Sequence, residues 1–590
     1  MAKNTYNVDE TLEVSTDLSS VKRSVKYVKS EKWKLLIALL INIVIVLLGL
    51  LVPIFTQIII DDVLPVKNMH LLWIIALLYL VSLITSSVLG YIQAVLINRA
   101  GQNIIFKIRE DLYAHLQRLP FSYFDDRPHG KILVRVVNYV NNVSNFLSNG
   151  LVGLVVQLLS VVFILIFMFS TNMELSFVII AGLPLLVCVT VFLQPRTKKA
   201  FRNVNNKTSN LNAYLNESIL GLKVSQGFSR EKTNLEIQKK LAKNSRNAWI
   251  SAIKLHFLTG PIIEVISMSV YCCVLLTGVL FFKDISLGVI LAMAAYASRF
   301  WAPIMTLGNI YNEIINTTSY LERIYQVMDE PVIITDDVTS TDIQTIHGDV
   351  EYNDVTFSYD GSVNILENMS FKVTAGQSIA LVGPTGAGKT TVVNLLSRFY
   401  DINGGDILID GRNIKSITTN SLRSNMGIML QDPFIFTGTI ADNIRYGKLN
   451  ATDEEITKAA KAAAAHDFII EMPNGYDTHV SERGSSLSAG QKQLIAFART
   501  IVSDPKILIL DEATSSVDSE TEMCLQDGIK SMISNRTSFI IAHRLSTIKN
   551  CDRIMYINNK GITESGTHNE LMDKKGNYYN LYSSQQVFTS

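Results

Sequence analysis

Residues 383–390 read GPTGAGKT, and this stretch decides the fold of the second half of the chain. It follows the apolar run IALV at 379–382, which predicts a buried strand, and it precedes residues 391–400, which predict a helix. A glycine-rich turn between strand and helix lets consecutive backbone N–H groups surround a phosphate at the positive end of the helix dipole. Lys389 is then expected to reach the terminal phosphates of a nucleotide, and Thr390 to offer its hydroxyl to magnesium.

A second feature of the same half is an apolar strand that ends in two acids, KILILDE at 506–512. Without the glycine-rich loop, such a segment would be an ordinary strand with solvated acids at its end. Beside a phosphate loop, a carboxylate in this position can hold magnesium, so Asp511 is the predicted metal ligand. Glu512, the next residue, is the predicted group that polarises the attacking water.

The segment SSLSAGQKQ at 485–493 predicts a second anion-binding helix terminus. Ser488 supplies a hydroxyl at the start of the helix, and Ala489 and Gly490 leave the backbone nearly bare.

These motifs are similar to those of the ATP-binding cassette transporters, in that family's order, and SSLSAGQKQ resembles its LSGGQ signature. The resemblance covers nearly the whole chain and implies roles for residues in four further motifs, FSYD, LQDP, SSVD and IAHRLST. Tyr359 is implied to stack on adenine, and Gln431 to sense magnesium and the attacking water. The loop 515–518, with Asp518, is implied to communicate across a dimer. The switch residue His543 is implied to contact the terminal phosphate.

The expected site combines these residues with the phosphate loop. Its catalytic residues are Lys389, Gln431, Glu512 and His543, and its magnesium ligands are Thr390, Gln431 and Asp511. Its nucleotide contacts are Tyr359, Gly383, Pro384, Thr385, Gly386, Ala387, Gly388, Lys389, Thr390, Thr391 and Asp518. The resemblance also implies that the signature acts on the ATP held by a partner chain, through Ser488, Ala489, Gly490 and Gln491.

The signature departs from the family pattern at Ala489, where glycine is usual. A methyl group narrows the available backbone conformations and crowds the place where phosphate would approach. One interpretation is a tolerated variant. The other follows from the family, in which heterodimeric exporters pair a half that keeps its glutamate and histidine but has an altered signature with a half of the opposite kind. This chain fits the first kind, which favours a heterodimer over a homodimer.

The composition places the chain outside the soluble single-domain proteins. It has 590 residues, 48% of them hydrophobic, and a formal net charge of +1. Near-neutral charge argues against a general nucleic-acid binder, which needs a strong cationic excess. The five cysteines form no CxxC pair, so neither structural disulfides nor a zinc site is expected.

The first half is predicted to cross a membrane six times, because its apolar runs are near the roughly 20 residues that span hydrocarbon. The runs are 35–60, 71–97, 151–169, 175–193, 261–282 and 285–307. The loop 196–254 holds about a dozen Lys and Arg against three acids, which predicts that it is cytoplasmic. The expected location is therefore the cell membrane, with the nucleotide domain in the cytoplasm.

The predicted fold is an α-helical six-span membrane domain followed by an α/β P-loop NTPase domain with an inserted helical subdomain around 451–499. The expected boundaries are 1–30 for a tail and elbow helix, 31–318 for the membrane domain, 319–348 for a linker and 349–590 for the nucleotide domain. The basic and apolar segment 21–29 is either an amphipathic elbow on the inner membrane face or a solvated tail. Two long cytoplasmic loops, turning near 121–125 and 217–221, resemble the exporter type of the family and are expected to rest on the nucleotide domain.

Polar residues inside membrane spans are costly, so each is a candidate for the substrate site. They are Asn42, Gln157, Glu264, Arg299 and Asn309. Two readings of Glu264 stay open: it pairs with Arg299, or it faces a central cavity and favours cationic amphiphiles.

The function expected from this resemblance is ATP-driven export, or inner-to-outer leaflet flipping, of hydrophobic or amphipathic small molecules. The cofactors are ATP and Mg²⁺, and the partners are a second half-transporter and the lipid bilayer, without nucleic acid. The alternatives are a lipid or peptide exporter, or a membrane sensor that uses ATP without transport.

Overall fold

The computed structural model describes residues 19–125, 127, 129–281, 285–343, 345–429, 433–511, 519–541 and 548–589. The chain forms two compact units, residues 1–117 with 129–330 and residues 118–128 with 331–590. The first unit is helical and holds the apolar half of the sequence. The second holds the phosphate loop and the strands.

The helices of the N-terminal half are, in chain order, α1 (Ser19–Ser30), α2 (Lys32–Ile58), α3 (Leu64–Val66), α4 (Met69–Leu116), α5 (Phe121–Asp125), α6 (His129–Val134), α7 (Val140–Asn145), α8 (Leu151–Thr171), α9 (Met173–Ala181), α10 (Leu183–Leu220), α11 (Leu222–Gly227), α12 (Glu231–Leu280) and α13 (Leu287–Met328). Three π-helical turns, Ile59–Val63, Arg135–Tyr139 and Phe146–Gly150, join some of them into longer rods. The short helix α5 groups with the second unit.

The prediction of six spans is confirmed. In the described part of the chain, six helical segments are long and apolar enough to cross a membrane: Lys32–Val66, Met69–Leu116, Ile132–Thr171, Met173–Leu220, Glu231–Leu280 and Leu287–Met328. Three of the helices begin at a side-chain cap, where Asn68, Asn172 and Ser286 each accept a hydrogen bond from the backbone N–H three residues on. Because the segments are longer than the roughly 20 residues that cross hydrocarbon, they extend well beyond it.

The extensions of α10 and α12 pair with each other outside the predicted membrane region. Val204 packs with Ala248 and Ala252 in a small apolar core, and the Thr208 and Ser245 hydroxyls lie 3.2 Å apart. α10 continues to Leu220 and ends at Gly221, so the turn, which contains α11, lies over residues 221–230, just beyond the expected position 217–221.

Arg299 on α13 finds a backbone partner inside the first unit. Its Nη1 donates to the Gly49 carbonyl oxygen at 2.6 Å, and the nearby Tyr296 hydroxyl donates to the Leu50 carbonyl oxygen at 2.9 Å. In the described part of the chain no ion pair joins Arg299 to Glu264, whose side chain is exposed on α12. Of the two open readings of Glu264, the pair with Arg299 is therefore not formed, and the guanidinium donates to a carbonyl of α2 instead.

The N-terminal helix α1 is a packed elbow rather than a solvated tail. Arg23 donates from both terminal nitrogens to the Asp329 carboxylate, at 2.6 and 2.7 Å, and lies 4.1 Å from the centre of the Tyr325 ring. The Tyr27 hydroxyl donates to Asp111 at 2.7 Å. The Arg23 guanidinium holds the pKa of the Asp329 carboxyl below its ordinary value of 3.8. Arg23 thus holds α1 against the end of α13, and Tyr27 holds it against α4.

The second unit alternates strands and helices, as predicted. Its strands are β1 (Val350–Phe357), β2 (Leu366–Val373), β3 (Ser378–Val382), β4 (Gly404–Ile409), β5 (Arg412–Asn413), β6 (Met426–Met429), β7 (Gly438–Thr439), β8 (His479–Val480), β9 (Ile507–Asp511), β10 (Thr537–Ile541), β11 (Arg553–Asn558) and β12 (Gly561–Gly566). Its helices are α14 (Lys389–Leu396), α15 (Thr419–Ser424), α16 (Ile440–Arg445), α17 (Asp453–Ala462), α18 (His466–Ile470), α19 (Ala489–Val502), α20 (Ser519–Ile533), α21 (His568–Lys574) and α22 (Asn577–Thr589).

The main sheet has the order β12-β11-β3-β10-β9-β6, and all neighbours except β12 and β11 pair in parallel. Strands β3 and β10 are buried along their whole length, as expected for a parallel sheet covered on both faces. A smaller antiparallel sheet has the order β2-β1-β4-β5. The helices α17, α18 and α19 lie in sequence between β6 and β9, where the helical insertion was predicted.

Candidate functional site

The phosphate loop, residues 383–388, joins the buried strand β3 to the start of α14. At Gly383 φ is +146°, and a Cβ there would lie 2.2 Å from the Ile557 carbonyl oxygen on β11. No larger residue fits there without displacing β11, so the loop leaves the sheet in one direction only. The loop leads directly into the N-terminus of α14, where the helix dipole favours an anion.

Lys389 lies folded across this loop and is buried. Its Nζ donates to the Gly383 carbonyl oxygen at 2.8 Å and to the Pro384 carbonyl oxygen at 3.0 Å. A buried ammonium group needs such partners, and phosphate oxygens at the same mouth are stronger acceptors than amide carbonyls. The position fits the predicted role of Lys389 at the terminal phosphates.

Tyr359 stands at the mouth of the loop with its ring about half exposed, at 49%. Its hydroxyl lies 3.0 Å from the Thr391 hydroxyl on α14. Its ring packs edge-on against Phe357, at 4.8 Å between ring centres, and against Tyr400, at 5.0 Å. Three contacts thus hold the ring in place while part of it remains open to a planar base, the role predicted for Tyr359.

Tyr400 was missed by the sequence reasoning, although it belongs to the run FYD that follows the loop helix. Its hydroxyl donates a short hydrogen bond to the Asp125 carboxylate at the end of α5. Beside it, the rings of Phe121 and Phe399 lie 4.4 Å apart. The first predicted turning point therefore does contact the nucleotide unit, and Tyr400 links it to the tyrosine at the loop mouth.

Two arginines, Arg423 and Arg398, hold the segment that carries Phe399 and Tyr400. Arg423 donates to the Arg398 carbonyl oxygen at 2.8 Å, and its guanidinium lies 5.1 Å from the centre of the Phe399 ring. The buried Arg398 donates to the Thr335 carbonyl oxygen at 3.0 Å and to Asp401 at 3.2 Å. These contacts give Tyr400 a fixed position between the base site and α5.

Asp511 ends β9, and β10 separates this strand from β3 in the parallel sheet. The carboxyl ends of parallel strands share one edge, so Asp511 and the phosphate loop open on the same side of the sheet. Thr390 is exposed in the first turn of α14. A hydroxyl and a carboxylate are hard oxygen donors of the kind that Mg²⁺ takes together with phosphates and waters. In the described residues no cluster of three or more His, Cys, Asp or Glu offers a different metal site.

Four predicted site residues, Gln431, Glu512, Asp518 and His543, lie outside the described residues. Their roles stay predictions from the sequence.

The signature begins α19 with a complete capping box. The Gln491 N–H donates to the Ser488 hydroxyl at 3.2 Å, and the Ser488 N–H donates to the Gln491 side-chain oxygen at 3.0 Å. Ser488 and Ala489 are exposed, and Gly490 is buried. Ala489 is the first helical residue and has no positive φ, so its backbone is one that alanine adopts without strain. Of the two expected effects of Ala489, only the crowding of the phosphate site by its methyl group remains.

The first unit contains a cavity of about 1010 Å³ between α10, α12 and α13. Apolar residues line one part of it, among them Leu186, Val187 and Ile304. Another part carries polar and basic side chains, including Asn309 from the predicted set. Glu264 and Arg299 do not line it, so the reading in which Glu264 faces a central cavity stays a prediction.

Six membrane-spanning segments followed by a phosphate-loop domain with a capped signature helix define a membrane transporter driven by nucleotide hydrolysis. Residues 35–304 match the family model described as ABC transporter transmembrane region, and residues 366–515 match the one described as ABC transporter. The chain belongs to the ABC transporter family.

Relatives of full or nearly full length point to the exporter branch. A fatty acid ABC transporter ATP-binding/permease protein of Mycobacterium bovis is 38% identical over 84% of this chain and 79% of its own length. A putative multidrug export ATP-binding/permease protein of Bacillus subtilis is 33% identical over 96% of this chain and 99% of its own. The solved structure of a bacterial Atm1-family ABC exporter with ATP bound is 27% identical, with a TM-score of 0.77, and the match covers 96% of this chain and 99% of that one.

The chain is therefore an exporter-type ATPase coupled to transport, embedded in a membrane with its nucleotide domain on the cytoplasmic side. It binds ATP, and exporters of this kind work as dimers.

Proposed function

We propose that this chain is one half of a dimeric exporter that moves hydrophobic or amphipathic small molecules across the cytoplasmic membrane, or from its inner to its outer leaflet, by alternating access. The main support for this proposal is the cavity of about 1010 Å³ between α10, α12 and α13, which is lined by apolar residues at one end and by polar residues at the other. Cavities that bind small molecules combine these features at a similar size. The multidrug and fatty acid names of the relatives support the same class of substrate.

The nucleotide step would use this chain's own groups in distinct roles. Thr390, Asp511 and Gln431 would hold Mg²⁺, which neutralises charge on the transferred phosphate when bound. Lys389 would exchange its loop carbonyls for phosphate oxygens, and Glu512 would orient and polarise the attacking water. His543 would contact the terminal phosphate.

The signature residues would act on the other ATP of the dimer. The exposed Ser488 and Ala489 at the start of α19 support this role, because they leave the helix terminus open to a phosphate from outside the chain. ATP held between two chains then binds the closed state more tightly than the open one. Closure tilts the membrane helices, and hydrolysis releases them.

We favour a heterodimer as the assembly. The sequence keeps Glu512 and His543 and alters the signature at Ala489, so its partner would carry the complementary pattern. The chain purified alone should show poor ATPase activity, restored by a partner half with an LSGGQ signature. Robust ATPase of the lone chain would instead establish a homodimer.

ATP-dependent uptake into inside-out membrane vesicles tests the proposed transport. A neutral amphiphilic dye should accumulate with MgATP, and Glu512→Gln should abolish accumulation while ATP still binds. Stimulation of the ATPase by the dye without any accumulation would identify a sensor and refute export. Accumulation of peptides in place of the dye would identify the peptide exporter.

A further inference from the structure

The cavity carries positive charge at the end nearer the cytoplasm. Lys198 and Arg202 on α10 line it, and none of the described residues that line it is an Asp or a Glu. Across the described part of the chain, Lys198 and Arg202 have neither an ion pair nor a hydrogen bond. Two like charges four residues apart on a helix repel each other, so an anion beside both would remove a destabilising contact.

The same end of the cavity offers hydrogen-bond donors as well as charge. The Thr197 hydroxyl is buried and has no hydrogen-bond partner among the described residues. The side-chain amides of Asn205, Asn206 and Asn316 also line the cavity. A carboxylate or a phosphate accepts from hydroxyl, amide and cation alike, whereas an ammonium ligand would find two repelling charges there.

The opposite end of the cavity is apolar. Leu186, Val187 and Val191 line it from α10, and Ile263 and Ile304 from α12 and α13. Between Val187 and Lys198 the helix rises about 16 Å at 1.5 Å per residue. The space therefore suits a ligand with an apolar chain at one end and a single anionic group at the other.

The depth of the two cations matches a lipid-like headgroup. The segment begins at Met173 on the outer side, and roughly 20 residues cross the hydrocarbon, which brings Lys198 and Arg202 to the level of the inner headgroups. The general preference for basic residues at the inner membrane face explains why Lys198 and Arg202 occur at this depth. That preference does not explain why both face the cavity, since the equally basic neighbour Lys199 does not line it.

We propose that Lys198 and Arg202 form the headgroup site for an anionic amphiphile, a carboxylate or phosphate monoester on a single apolar chain. This site gives the proposed export function its substrate class, and the physiological meaning of the site depends on that function. Its preference for head charge is the opposite of the one in the reading in which Glu264 favours cationic amphiphiles.

Binding without ATP tests this site apart from transport. The full chain, as the dimer it forms, is placed in nanodiscs of phosphatidylcholine, and radiolabelled dodecanoate is displaced by dodecyl phosphate or by dodecyltrimethylammonium. The anionic competitor should bind at least about fivefold more tightly than the cationic one. Lys198→Gln with Arg202→Gln should weaken dodecanoate by about tenfold, since two partly hydrated ion pairs are lost. The matched control Lys199→Gln should change it by less than about twofold.

Equal binding of the two head charges, or unchanged dodecanoate binding in the double variant, would overturn the proposal. Tighter binding of the phosphate identifies a phospholipid-like source, and tighter binding of the carboxylate a fatty-acid-like one; both support an anionic headgroup. Absence of ATP-driven uptake with this binding intact would refute the export function alone. Uptake of a neutral dye without discrimination between head charges would refute the headgroup site alone.

Discussion

Replacing Tyr400 should weaken ATP binding although this residue is not expected to touch the nucleotide. Tyr359, the predicted base platform, is held by two edge contacts and one hydroxyl contact, and Tyr400 supplies one of the edge contacts at 5.0 Å. Such aromatic pairs contribute about 0.5–1.5 kcal/mol beyond their buried area. If the loss falls wholly on the orientation of Tyr359, Tyr400→Ala should raise the Kd for ATP by about twofold to tenfold.

Tyr400→Phe separates the two contacts of this residue. It keeps the ring against Tyr359 and removes the hydroxyl that donates to Asp125. ATP affinity should stay within about twofold, because the ring still packs against Tyr359 and the lost bond to the exposed Asp125 carboxylate does not orient that ring. The stimulation of ATPase by transported substrate should fall, since α5 loses a hydrogen bond to this segment and keeps the contact of Phe121 with Phe399.

Fluorescent nucleotide titration gives the Kd, and ATPase with and without substrate gives the stimulation. Asp125→Asn combined with Tyr400→Phe completes a double-mutant cycle, in which the double variant should be no worse than the more damaged single variant. Tyr579→Phe, on the C-terminal helix, is the control for loss of a hydroxyl elsewhere. An unchanged Kd in Tyr400→Ala, or additive losses of stimulation in the cycle, would refute the connection.

Three further variants test other parts of the structure. Lys389→Ala should weaken nucleotide binding by at least about tenfold, because a charge-assisted contact is lost; normal binding in the same fluorescence titration would remove Lys389 from the phosphate cradle. Ser488→Ala should speed amide exchange in the first turn of α19 by about fivefold, as loss of a cap costs about 1 kcal/mol, and Ser488→Thr should not. Arg23→Gln should speed amide exchange in α1 at neutral pH. The loss of local stability should be less than about 1 kcal/mol, because both partners are half exposed. Because the pKa of Asp329 is lowered in the folded chain, its stabilisation is complete above the ordinary pKa of 3.8 and is lost as pH falls below it, so wild type and variant should converge in acid.

The nucleotide half could be predicted well because its signals are local. GPTGAGKT needs only a strand before it and a helix after it, and the structure supplies both as β3 and α14. The Ser488 cap is likewise a contact over three residues. The six spans follow from length and composition alone, which is why their number is confirmed.

Contacts between residues far apart in the sequence were the ones that failed or were missed. Complementary charge allowed a pair between Arg299 and Glu264 as one reading, but Arg299 donates to the Gly49 carbonyl, and every residue carries a carbonyl. Tyr400 and Asp125 are 275 positions apart, and nothing in either neighbourhood marks them as partners. Lys198 and Arg202 were recognised only as part of a basic loop, because which side of α10 meets the cavity depends on how α12 and α13 pack.

The position of Ala489 limits the physical effects that the altered signature can have. A glycine is indispensable where φ is positive, as at Gly383, but Ala489 opens a helix in a conformation ordinary for alanine. Backbone strain therefore gives no reason for the signature to fold differently, and the intact Ser488–Gln491 box argues that it does not. Any functional consequence must come from one methyl group in the space where a phosphate held by the partner would arrive. In a heterodimer such an effect would weaken closure only at the ATP site built on the partner and leave the site built on this chain's own Lys389 unaffected, whereas in a homodimer it would weaken both sites.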